Sequence, residues 1–196
     1  IRVPFLAINP PRAIFINMRK HKGFTIVELL VVIVVVGILA SVSIVAYSGV
    51  QARARDAQRL HDLKSIEKAL ELYMTQFGSY PAHTSTPNGQ SWELSSSGDF
   101  LSPLKEVISA VPIDPANTHT SGIIANNSPN KVYFYYRYAA GTNGADPKCG
   151  GYYILGATRF DTVKSGQLSS DSPKFSTPNR NWNDVGAYTT GGYENC

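Results

Sequence analysis

Charge is scarcest in this chain where its composition is most unusual. Across residues 24–46, Glu28 is the only residue that carries charge. Proline is absent from residues 47–77, and glycine occurs there once, at Gly49. The arrangements that mark catalysis are missing as well. There is no Gly-x-Ser-x-Gly, no His-Glu-x-x-His, no Walker loop and no cluster of cysteine with histidine, which speaks against hydrolase, zinc-peptidase and NTPase chemistry. Zinc calls for four ligands, and His21, His61, His83 and His119 show no ligand spacing to either of the two cysteines, Cys149 and Cys196.

The uncharged run is long enough to matter. As a helix at ~1.5 Å per residue, residues 24–46 reach about 35 Å, against a bilayer hydrocarbon core of about 30 Å. A carboxylate inside such a segment costs ~2.5–3.5 kcal/mol even on the lenient insertion scale, so Glu28 calls for a partner. Immediately upstream stands Arg19-Lys20-His21-Lys22-Gly23. The formal charge of +4 and pI near 9 would ordinarily suggest an anionic partner. Residues 1–23, however, hold five basic residues and no acid, and without them the chain is formally −1. The basic balance belongs to the N-terminal segment.

The register of basic flank, Gly23-Phe24-Thr25, Glu28 and apolar run resembles the leader and stem of type IV prepilins and type II secretion pseudopilins. In that family a dedicated peptidase cuts after the glycine and the new amine is methylated. The resemblance therefore implies cleavage between Gly23 and Phe24, N-methylation of Phe24, and a leader spanning 1–23. Met18-Arg-Lys-His-Lys-Gly is by itself a compact leader of the family's type. Residues 1–17, with Pro4, Pro10 and Pro11 and no helical or strand period, are expected to be an upstream extension from a mis-assigned start, the alternative being a longer leader. Glu28 could snorkel to the interface as an isolated acid. The resemblance implies instead that it pairs with the Phe24 amine of a neighbouring subunit, since burying the two charges together satisfies both and sets axial register. Many family members carry proline where Val45 stands, so here the amide at 45 can keep its helical bond.

Beyond the run, Ala57, Leu60, Leu63, Ile66, Leu70, Tyr73 and Phe77 recur at steps of three and four, an amphipathic helical period. The intervening charges, Arg53, Arg55, Asp56, Arg59, Asp62, Lys64, Glu67, Lys68 and Glu71, read as a solvated face with weak i,i+4 support. Gly78-Ser79-Tyr80-Pro81 stops the helix. Residues 82–99 read as a loop anchored by Trp92 and Leu94. Ser102 and Pro103 suggest an N-cap followed by proline at the first position of a short helix, with Leu104, Val107, Ile108 and Val111 on its apolar face. Residues 131–138 and 151–160 are strands by aromatic and β-branched content, with a weaker third at 186–190. In the first strand Val132, Phe134, Tyr136 and Tyr138 are expected to face the helix, and Tyr133 and Tyr135 the outer surface. The expected fold class is α+β: a long N-terminal α-helix, half transmembrane and half amphipathic, packed on a small antiparallel sheet head. Its segments are a transmembrane and assembly helix at 24–46, an amphipathic helix at 47–80, and an extracytoplasmic head at 81–196. The positive-inside rule favours this orientation through Arg19, Lys20 and Lys22, with Arg53, Arg55 and Arg59 weakening the bias.

Cys149 and Cys196 then lie outside the cytoplasm, where an even pair favours one disulfide. It closes a 48-residue loop, worth ~4 kcal/mol on the chain-entropy model. Tyrosine-rich strands beside Lys131, Arg137 and Arg159 raise single-stranded DNA as a partner. The near-neutral head favours packing as their role. Major pseudopilins bind calcium in a comparable C-terminal region, but Asp161, Asp171 and Asp184 form no Asp-x-Asp-x-Asp-Gly loop and are expected to be solvated, with no cofactor. The resemblance implies a non-enzymatic fibre subunit in the cytoplasmic membrane and then in an external or periplasmic fibre. Its implied partners are other pilin subunits, the prepilin peptidase, a platform protein and an assembly ATPase. The competing reading is a binding or enzymatic domain held by residues 24–46 as a plain signal anchor.

Overall fold

The computed structural model describes residues 23–83, 92–119, 128–142, 146–178 and 180–196. The leader expected over 1–23, with Met18 and its basic residues, lies outside the described residues apart from Gly23. The chain divides into two compact units, Ile1–Ile44 and Val45–Cys196. One helix, α1, spans Ile26–Phe77 and contributes to both. It runs through position 45 without a break, as the absence of proline there allows.

Within the first unit the described side chains are all exposed. Ser41 and Ser43 turn their hydroxyls back onto the Ile38 and Leu39 carbonyls (2.7 and 2.8 Å), which satisfies both groups without water. By length and composition α1 is apolar enough to cross a membrane.

The second unit is built around the other part of α1. Leu63, Ile66, Ala69 and Leu70 are buried there, with Leu60, Tyr73 and Met74 packed alongside. The helix ends at Gly78, which adopts φ +75° and donates its N–H to the Met74 carbonyl. That left-handed terminus comes most cheaply to glycine. Against the stripe lies a four-stranded antiparallel sheet of order β1-β2-β3-β6, formed by β1 (Glu93–Leu94), β2 (Tyr133–Tyr138), β3 (Tyr152–Ala157) and β6 (Tyr188–Tyr193). Strands β4 (Ser176–Thr177) and β5 (Arg180–Asn181) form a separate small hairpin. In the β2–β3 register Tyr133 stands opposite Ala157 and Tyr138 opposite Tyr152; in β3–β6, Ala157 stands opposite Tyr188. Gly156 permits the tightest point, since a Cβ there would meet the Tyr188 carbonyl oxygen at 2.1 Å and the Phe134 ring at 2.4 Å.

Three expectations need correction. Tyr133 and Tyr135 belong to the helix-side core with Leu63, Ile66 and Leu70, whereas Val132, Phe134 and Tyr138 pack on the opposite face with Trp182, Val185 and Leu94. The faces are thus the reverse of the sequence reading. Both are covered, so alternation of apolar with polar gives no cue, and hydroxyl acceptors decide: Tyr133 donates to Asp62 on α1 and Tyr135 to the Pro81 carbonyl. The short helix is a 3-10 turn at Ser102–Glu106 whose N-cap is Leu101 at φ 46°, with no side-chain cap. The Glu93 carboxylate takes the Leu101 amide instead (2.7 Å). The third strand continues to Tyr193, through Gly191 and Gly192, which weaken a strand signal in sequence.

Candidate assembly site

The start of α1 is shaped by two residues. Thr25 and Glu28 form a reciprocal cap: the Thr25 N–H and hydroxyl both donate to Glu28 Oε2 at 2.8 Å, and the Glu28 N–H donates to Thr25 Oγ1 at 3.2 Å. This is a capping box, and it closes two donors that a helix start otherwise leaves open. Neither sequence expectation for Glu28, a snorkelling acid or a partner for a neighbouring amine, includes this cap. The missed signal was in plain view, because Thr25-Ile26-Val27-Glu28 is the Thr-x-x-Glu pattern directly before an apolar run. Among the described residues Glu28 uses one carboxylate oxygen in this cap, and Oε1 has no partner. Phe24 is 86 % exposed just ahead of it, and Gly23 has open space around it.

Inside the second unit the sequence misread a set of charges. Arg59 is completely buried, on the same stripe as Leu63 and Ile66. Its guanidinium is forked by Asp114 (2.8 and 3.1 Å) and donates through Nη1 to Asp56 (2.7 Å) and Asp161 (2.8 Å). Asp161 also takes Arg55 and Lys131, so three cations meet three carboxylates. The acids hold backbone in turn: Asp114 accepts the Ala116 and Asn117 amides, and Asp56 accepts the amides of Asp161 and Thr162 and the Thr162 hydroxyl. Two loops are thereby fastened to α1. Burial opposes the charge on Arg59, but its bonds to Asp114 and Asp161 outweigh that and raise its pKa. Burial likewise disfavours the Asp161 carboxylate, yet Arg59, Lys131 and Arg55 hold its pKa well below the ordinary range. The expectation of a solvated Asp161 and a solvated Arg59 is therefore overturned. Asp171 and Asp184 are exposed, the latter paired with Arg180 at 3.3 Å.

Cys149 and Cys196 are joined in a disulfide with Cα atoms 5.0 Å apart. Beside it the Glu194 carboxylate accepts from Arg137 (2.6 and 2.7 Å), the Gly151 amide (2.8 Å) and the Tyr80 amide. The C-terminal residues are thus tied to β2, to β3 and to the end of α1. Of the cations that raised DNA as a partner, Lys131 is neutralised by Asp161 and Arg137 by Glu194. Among the described residues no group of three or more metal-ligating side chains is free to hold an ion.

Residues 18–44 match the family model described as the prokaryotic N-terminal methylation motif. The chain is 38 % identical over 65 residues to the type II secretion system core protein G of Vibrio cholerae serotype O1, covering 33 % of this chain and 44 % of that protein. It is 35 % identical over 66 residues to a fimbrial protein of Neisseria meningitidis serogroup A, 34 % of this chain and 39 % of the relative. It is 30 % identical over 103 residues to the type IV major pilin protein PilE1 of Neisseria gonorrhoeae, 53 % and 56 % respectively. The chain thus spans about half or less of the length of these relatives. No solved structure matches it.

Proposed function

We propose that this chain is a subunit of the type IV pilin and pseudopilin kind, made as a precursor, cut between Gly23 and Phe24, methylated on the Phe24 amine and polymerised into a pilus or pseudopilus. The observation that carries the reading is a helix start with two properties at once. Every described side chain from Phe24 to Ile44 is uncovered, and the single charge among them retains a free carboxylate oxygen. Such an apolar surface needs a cover, first lipid and then the same segment of neighbouring subunits. In the membrane Glu28 is held by Thr25. During assembly Oε1 accepts the ammonium of the incoming subunit's Phe24, so two charges that are costly apart are buried together. Residues 24–46 act as the membrane and assembly helix, with 47–80 continuing into the extracytoplasmic head at 81–196. A prepilin peptidase, a platform protein and an ATPase supply cleavage and extraction. A plain anchor gains nothing from a carboxylate in its apolar run, which disfavours that alternative.

Processing tests the reading directly. Gly23→Val places a branched side chain beside the scissile bond, and is expected to leave full-length precursor in the membrane. N-terminal sequencing of wild-type protein should give methylated phenylalanine. Normal-size mature protein from the variant, or an intact leader on the wild type, overturns the assignment.

A further inference from the structure

The second unit carries a cleft that neither assembly nor the buried ion cluster uses. It opens beyond the point where β1 stops pairing with β2, and Ala82, His83, Tyr136, Arg137, Tyr138 and Thr142 line it around about 390 Å³. One to two small rings fill such a volume, near the lower end of the size range of small-molecule sites.

Its wall is aromatic and held from behind. His83 stacks on Tyr136 at 4.3 Å between ring centroids, and Tyr136 leans on Tyr138 at 4.4 Å. Tyr138 in turn stacks on Tyr152 at 4.9 Å and rests against Trp182 at 5.1 Å. The rings are therefore ordered before any ligand arrives, which removes part of the entropic cost of binding. Hydroxyl partnership separates these tyrosines from the core ones. Tyr133 and Tyr135 spend theirs on Asp62 and the Pro81 carbonyl. Among the described residues the Tyr136 and Tyr138 hydroxyls form no hydrogen bond, although Tyr138 is only 9 % exposed. Burial, with Tyr136 next to it, pushes the Tyr138 phenol up to about 12, so it remains a neutral donor. The one cation of the wall, Arg137, is already bound by Glu194. A neutral ligand suits this wall better than an anionic one.

We infer that this cleft binds a pyranose, whose weakly positive C–H face lies on the aromatic rings while its hydroxyls take the unpartnered Tyr136 and Tyr138 hydroxyls. The negative face of each ring favours such C–H groups, and tyrosine offers a rigid apolar surface with a polar tip. A single-stranded nucleic acid would stack equally well, but its phosphates would find Arg137 and Lys131 occupied by Glu194 and Asp161.

The test uses the full chain in a zwitterionic detergent without a sugar headgroup, probed by saturation-transfer NMR. The probes are methyl pyranosides of glucose, galactose, mannose and N-acetylglucosamine, and a thymidine oligonucleotide. At least one pyranoside is expected to receive saturation, with a dissociation constant on the order of 1 mM or tighter. Tyr136→Ala and His83→Ala should each weaken it at least about tenfold, with cooperative unfolding retained, while Tyr73→Leu on α1 leaves it unchanged. A glycan array then separates a terminal glycan residue from free sugar as the source. No saturation of any pyranoside at about 10 mM, binding indifferent to Tyr136 and His83, or saturation of the oligonucleotide alone overturns the inference. Gly23→Val leaves pyranose binding intact, so failure here and failure of the processing assignment are distinguishable.

Discussion

Arg59 shows how much one residue can decide. A guanidinium on the core-facing stripe of a helix is costly to desolvate, and it persists here because Asp56, Asp114 and Asp161 surround it. Replacement by methionine keeps the length and removes the charge. It leaves three carboxylates with only Arg55 and Lys131 at the edge of the cluster. Arg59→Met should therefore destabilise the second unit by ~3–5 kcal/mol, a large part of the 5–15 kcal/mol typical of a domain. Urea unfolding followed by circular dichroism measures this as a lower midpoint, and pairing the substitution with Asp114→Leu should recover part of the loss. An unchanged midpoint for the single variant would show that the two loops are held by something else. The sequence could not announce this residue. At 3.6 residues per turn Arg59 lies on the same stripe as Leu63 and Ile66, but its acids at 114 and 161 are supplied by loops far away in the chain. Asp161 was misjudged for the same reason: its serine- and glycine-rich context describes the loop, while its burial is set by what the loop lands on.

At the scale of elements, the parts governed by local periodicity were legible and the parts governed by contact were not. The span of α1 follows from an uninterrupted helical pattern ending at Gly78, and β2 and β3 from aromatic runs bounded by turn residues. The facing of β2 was not legible, because Phe134 and Tyr135 are both apolar enough to be buried and only the positions of Asp62 and Pro81 distinguish the two sides. At the head of α1 the capping box offers a separation of roles that composition alone would not suggest. Glutamine can replace glutamate in such a box, so Glu28→Gln keeps the helix start and loses only the charge. In the proposed fibre that leaves the incoming amine without a counter-charge, at ~3–5 kcal/mol per subunit. Monomer should accumulate in the membrane, with little in the sheared-fibre fraction by immunoblot. Thr25→Val does the opposite: the cap is lost at about 1 kcal/mol, the charge stays, and fibres should still form. Equal fibre yield from Glu28→Gln and wild type would remove the charge pair from the account of assembly.

Over the whole second unit the tyrosines set one boundary of stability and the ion cluster the other. Burial is the main cause that raises the phenols of Tyr133, Tyr135, Tyr152 and Tyr153, and it pushes Tyr188, like Tyr138, up to about 12. In the unfolded chain these phenols titrate near pH 10. A raised folded-state pKa means that their contribution is complete below about pH 10 and is lost as pH climbs toward the folded values, because the unfolded chain gives up protons that the folded chain retains. Asp161 acts at the other end. With its pKa lowered in the fold, its contribution is complete above the ordinary carboxylate range near pH 4 and is lost below it. The folded head should thus hold through neutral pH and fail cooperatively on the alkaline side. Phenolate absorbance near 295 nm is expected to lag behind that of the urea-unfolded chain in an alkaline titration, with the buried majority of phenols appearing together with loss of the sheet signal in circular dichroism. If all eleven tyrosines instead titrate smoothly around pH 10 with the sheet intact, the tyrosine-filled core on both faces of β2 and β3 is wrong. The disulfide gives the same experiment a second arm. Reducing Cys149–Cys196 releases the segment that carries Glu194 and should move the cooperative step to lower pH.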